Sequence, residues 1–184
     1  MAFPTLAEIS TMLAAIGFPK HECVDEPNEE VGMIRTGCGT PFGPILITID
    51  PQKEKDVLHV RAHVGFASGA SDEQIQIETL QYINHLNATH IVGRFVFDHS
   101  DNEVYIDCAQ VVTESDDFTQ ATLDAILNRI VVAGTLWRPE LNDVGSGTKV
   151  YNENSKTLED ADSSLLEPLS DDELEELIKK VKGG

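Results

Sequence analysis

The spacing of apolar residues changes period several times along the chain, and each change marks an element. Leu6, Ile9, Leu13 and Ile16 recur at helical intervals ahead of Gly17. Thr5 stands where a cap belongs and Glu8, three residues on, can reach back to it, so a helix is expected over about 5–17. A polar stretch (22–30) containing Pro27 follows. Three runs rich in β-branched residues come next, "VGMIRTGC" (31–38), "PILITID" (44–50) and "VLHVRAHVGF" (57–66). The glycine- and proline-bearing stretch 37–43 and "DPQKEKD" read as the hairpin connections between them. A second helix is expected from Ser71, with Gln74 completing a capping box, and Ile75, Tyr82, Ile83 and Leu86 form its apolar stripe to about Ala88. Two more strands are expected at 91–98 and 103–112. A third helix over about 117–136 carries Leu123, Ile126, Leu127, Ile130 and Val131 on one face. The order α-β-β-β-α-β-β-α, without internal repeats, predicts an α+β domain whose antiparallel sheet packs against helices.

Beyond Leu141 the periodicity stops. Residues 142–169 are polar and rich in Gly, Ser, Asn and acid, which predicts a flexible linker after a domain spanning 1–141. Periodicity returns over 170–184. Ser170 and Glu173 form a capping box, and Leu174, Leu177, Ile178 and Val181 fall on one side of a short helix. Its first turn is acidic and its last basic, as the helix dipole favours. About a dozen residues are too few for a stable helix in water. The tail is therefore expected to dock, on its own domain's sheet face or on a partner, and its four apolar residues are candidate contacts.

Charge narrows the partners. With 13 Lys and Arg against 32 Asp and Glu, the 184-residue chain carries a formal −19. Nucleic acids and anionic membranes are bound through an excess of basic residues, so neither is expected as a partner. No apolar run reaches the length of a membrane span. The opening residues lack a basic segment and include Glu8, so a secretory signal is not expected. Three cysteines without CxxC spacing suit reduced thiols and a cytoplasmic setting.

Several patches invite a chemical reading. "DHSDNEVYID" (98–107) gathers Asp98, Asp101, Glu103 and Asp107. A calcium loop counted from Asp98 needs Gly at its sixth position and a bidentate acid at its twelfth. The chain has Glu103 and Ala109 there. Flanking alternation marks strands on both sides, so the patch reads as a hairpin turn. "HVRAH" (59–63) would share a metal on a helix. On a strand its two histidines stand about 13 Å apart. His21, Glu22 and Cys23 lack a matching fourth ligand nearby in sequence. "TGCGTPFGPI" has neither GK[ST] nor GxGxxG, and no GxSxG elbow occurs. Catalytic residues, metal ligands and cofactors are accordingly not assigned. One pattern remains. With the alternating apolar residues turned inward, Arg35, His59, Arg61, His63, Arg94 and Tyr105 share the opposite sheet face with Asp107. That face is the candidate recognition surface or subunit interface.

The element order, with "GRFVFDHSDNEVYIDC" as the late hairpin and "DDFTQATLDAILNRIV" as the closing helix, resembles the YbjN-like proteins and the type III secretion chaperone-like fold. The resemblance covers about residues 5–140. It implies a small acidic α+β domain, commonly dimeric, that acts by binding another protein and has no catalytic residues to carry over. The expected function is thus a non-enzymatic, cytoplasmic protein-binding module, chaperone-like or regulatory, working as a homodimer. The alternative is a regulator that binds a small ligand or metal on the His/Arg sheet face.

Overall fold

The structure, a computed structural model, describes residues 3–24, 32–69, 71–90, 93–112 and 118–161. Helix α1 (Leu6–Ala15) begins at the capping box read from the sequence. Thr5 accepts from the Glu8 amide, and the Glu8 carboxylate accepts from the Thr5 amide at 2.8 Å. Strands β1 (His21–Val24), β2 (Met33–Thr40), β3 (Gly43–Gln52) and β4 (Val57–Phe66) follow, each antiparallel to the next. Helix α2 (Glu73–Thr89) is capped by Asp72, whose side chain accepts from the Gln74 amide at 2.8 Å. The cap thus falls one residue past Ser71, where the sequence places it. Strands β5 (Arg94–Asp98) and β6 (Glu103–Val111) form the late hairpin, and α3 (Gln120–Gly145) closes the layer.

The sheet order is β1-β2-β3-β4-β6-β5. All three helices lie on one side of it: α3 crosses β4, flanked by α1 near β1 and β2 and by α2 near β5. The alternation read from the sequence fills the space between. Ile45, Ile47 and Ile49 of β3, Leu58, Val60, Ala62 and Val64 of β4, Phe95 and Phe97 of β5, and Val104 and Ile106 of β6 are buried. Leu123, Ile126, Leu127 and Ile130 meet them from α3. Period 2 from the sheet and period 3.6 from the helix thus close one core, and the expected α+β class is the one found.

Two differences concern the ends of elements. β1 is a four-residue strand within a stretch the sequence marks only as polar. It pairs through Cys23↔Ile34 and Val24↔Met33, beside a core whose apolar side chains come from its neighbours. The stretch 142–169 differs more. Its described part, 142–161, is not a linker: α3 continues to Gly145, and β7 (Lys149–Asn152) pairs with β8 (Thr157–Asp160) as a hairpin. Val144 is fully buried and Tyr151 nearly so. The rings of Tyr82 and His85 on α2 lie 5.7 and 4.9 Å from that of Tyr151, and Glu78 accepts from the Tyr151 amide. The Tyr82 hydroxyl donates to Glu140 of α3, and burial together with this carboxylate pushes its pKa up. Two features hid this from sequence reasoning. Pro139 inside α3 suggests a helix end, and "GSG" suggests a spacer. Here Gly147, at φ 74°, makes the left-handed turn that ends the helix. Residues 162–169 and the tail, with Leu174, Leu177, Ile178 and Val181, lie outside the described residues.

Candidate functional site

The helix-free face of the sheet carries the expected set. One row of cross-strand partners runs over all six strands: Glu22, Arg35, Thr48, Arg61, Asp107 and Arg94. The row beside it contains Gly37, Leu46, His63, Tyr105 and Val96. His59 stands two residues along β4 from Arg61, on the same face. Arg35, His59, Arg61, His63, Arg94 and Tyr105 therefore do share a surface. Each gets there because the opposite parity of its strand is taken by the core.

Asp107 is the hub of this surface. Its Oδ1 lies 3.3 Å from His59 Nδ1 and 3.5 Å from Arg61 Nε. Neither approach has hydrogen-bond geometry. The Arg61 guanidinium sits 5.6 Å from the centre of the Tyr105 ring, in cation–π range. His63 pairs with Glu103 across the β4–β6 junction. Among the described residues, Arg35 and Arg94 have neither an ion-pair nor a hydrogen-bond partner. Three large apolar side chains, Leu46, Phe66 and Val111, are exposed on the face. Leu46, opposite His63, is 60% exposed, and Phe66, opposite Glu103, is 54% exposed. Sequence reasoning missed both. Leu46 occupies a polar-parity position in β3, and Phe66 reaches the face through the register shift between His63 and Gly65.

The carboxylate patch at 98–107 is a hairpin. Asp98 pairs with Glu103 across the turn, Ser100 donates its amide to Asp98 Oδ1 at 2.9 Å, and Glu103 donates its amide to Asp101 Oδ1 at 3.1 Å. Asn102 adopts φ 59°, a conformation Asn tolerates. The Ser100 hydroxyl and amide, stabilising the charged form, hold the Asp98 carboxyl below its ordinary pKa. Asp107 belongs to the sheet face, four residues from the turn. We expect Asp98→Asn combined with Asp101→Asn to shift the melting temperature by no more than about 2 °C. Calcium titration followed by calorimetry should show no saturable micromolar site. A site abolished by these substitutions would contradict the turn assignment.

Among the described residues no three His, Cys, Asp or Glu side chains converge on a point that could hold a metal. Two thiols are poorly suited to nucleophilic work. Burial raises the pKa of Cys38, and burial with the neighbouring Asp107 charge raises that of Cys108 against the opposing pull of Arg129. His21 joins Ser10 through Nε2 while its Nδ1 lies 3.0 Å from the Phe18 carbonyl. A carbonyl can only accept, so Nδ1 carries a proton. This pair fastens α1 to β1. Beside it lies a shallow depression of about 400 Å³ lined by Lys20, Glu22, Arg35 and Thr36. No described helix is long and apolar enough to cross a membrane.

No family model matches the chain, and no curated protein sequence does. Among solved structures the chain is similar to one chain of the crystal structure of the ExsC–ExsE complex. The TM-score is 0.51 at 19% identity, over 76% of this chain and 98% of the other. At that identity the likeness speaks for the fold. The chain shares with that structure an α+β fold, with an antiparallel sheet packed against helices on one side.

Proposed function

We propose that this chain is a non-enzymatic protein-binding module, chaperone-like or regulatory, that acts in the cytoplasm as a homodimer and is related to the YbjN-like proteins. The observation that supports it most is the composition of the open sheet face. An antiparallel sheet with one wet face is ordinary, so openness alone counts for little. In a chain of net charge −19, however, this face gathers three arginines, two histidines, a tyrosine and exposed Leu46 and Phe66. Arg and Tyr are the residues that most often carry binding energy when a protein surface is covered. Arg35 and Arg94 have planar donor groups with no described partner, and they suit bidentate capture of carboxylates on an incoming chain. The fold likeness agrees, since that neighbour was solved in a protein complex. In this reading the apolar stripe of the tail (Leu174, Leu177, Ile178 and Val181) is a second contact element, one that docks on the chain's own domain.

The test uses the full chain and its Arg35→Ala, Arg94→Ala double variant, each bearing a photo-crosslinker at Leu46, in cells of the source organism. Both arginines are exposed, so the variant's stability should stay within about 0.5 kcal/mol of the parent. We expect a defined protein to be captured by the parent, and its affinity, measured with purified components, to fall at least tenfold in the variant, about 1.4 kcal/mol. Equal affinity would remove the face from the function. Light scattering that returns the mass of one chain at all concentrations would remove the homodimer.

A further inference from the structure

Helix α3 presents a second, unrelated surface. A helix packed on a sheet normally turns polar residues outward, yet Val132 and Leu136 on its outer side are 56% and 63% exposed. They continue a stripe with the exposed Ala125 and Arg129, spaced four, three and four residues apart. That is the interval of a seam meant for another helix. Together with His90 at the end of α2, Asn128, Arg129 and Trp137, they line an apolar groove of about 510 Å³. The His90 imidazole lies against Trp137 with ring centres 4.4 Å apart and forms one wall.

We infer that the groove on α3 is the docking site of the chain's own tail, residues 170–182. Two observations select this occupant. First, the tail's stripe of Leu174, Leu177, Ile178 and Val181 has helical spacing and fits a helical seam. The apolar residues of the open sheet face do not form such a line. Second, the described chain stops at Ala161, whose amide donates to the Thr148 carbonyl just past the C-terminal end of α3. From there 162–169 spans about 15 Å as a coil and about 26 Å when extended. Leu136 lies about 13 Å back along the helix from Gly145 and Arg129 about 24 Å back, at ~1.5 Å per residue. The tail therefore reaches the stripe, running antiparallel to α3. The sequence left open whether the tail covers its own sheet or a partner. The groove gives it a helix to lie on, independently of what the sheet face binds.

Trp137 is the only tryptophan in the chain, so the groove reports on itself. In the full-length protein, Leu174→Asp with Leu177→Asp should move the emission maximum to longer wavelength, because the indole loses its cover. It should also abolish amide-exchange protection over 172–182. Val132→Asp with Leu136→Asp should remove the same protection from the other side of the contact. Both sites on α3 are more than half exposed, so that variant should keep its fold. The wild-type emission should be independent of concentration. Unchanged emission and unchanged tail exchange in the tail variant would overturn the proposal. An emission maximum that shifts on dilution of the wild type would also overturn it, by showing that a second copy covers the groove.

Discussion

A chain cut after Leu141 will melt far below the full-length protein, or will not fold at physiological temperature. The cut removes Val144, fully buried, and Tyr151, 9% exposed, together with the last turn of α3. Burial of a large apolar side chain is worth about 1.5–3 kcal/mol, so the loss is on the order of 3–6 kcal/mol. That is a large part of the roughly 5–15 kcal/mol that holds a domain of this kind together. The stack of Tyr151 on Tyr82 of α2 would go at the same time. Composition alone predicts the opposite outcome, an intact domain ending at 141. A chain ending at Ala161 keeps every described element and should melt within a few degrees of the full chain. Equal melting of the two truncations would show that the β7–β8 hairpin adds nothing to the core.

Gly134→Val should destabilise the fold although it replaces the second-worst helix former with a better one. Exposed mid-helix, replacing glycine gains up to about 1 kcal/mol. Gly134 is buried where α3 crosses the sheet, and a Cβ there would lie 2.7 Å from Val64 Cγ1 and 2.9 Å from Ile45 Cδ1. Valine adds two further methyls to a space that does not hold the first. Overpacking of this kind costs about 1–3 kcal/mol, which for a chain of this length lowers the melting temperature by about 3–10 °C. Calorimetry on the variant settles the sign. A melting temperature at or above that of the parent would mean that α3 can lift from β4 without loss.

The parts legible in the sequence are those where one face of an element is fully used. β3, β4 and β6 alternate without interruption because their inner sides meet helices and their outer sides meet water. The same alternation placed Arg35, His59, Arg61, His63, Arg94 and Tyr105 on the outer side. The Thr5 and Glu8 pair declared the start of α1 directly. The illegible parts are those where few residues carry the packing. In the β7–β8 hairpin, Tyr151 makes the main apolar contact, and one aromatic ring sets no period. Leu46 and Phe66 were missed because parity predicts polarity there, and Val132 and Leu136 because a stripe search on α3 finds the core-facing stripe first. All four interrupt an expected polar surface, and all four lie on the surfaces assigned here to binding.

The strand order carries a consequence for how the molecule comes together. β1 to β4 form a meander of successive neighbours, and β5 and β6 form a hairpin of their own. The two pieces meet along one line, β4 against β6, between which α2 and β5 intervene in the chain. Closing this seam carries the loop-entropy cost that the local hairpins avoid. His59 and Arg61 reach Asp107 over it, and His63 reaches Glu103. The side chains that give the outer face its character thus also bridge the non-local seam of the sheet, so the same residues shape the exposed face and join its two pieces.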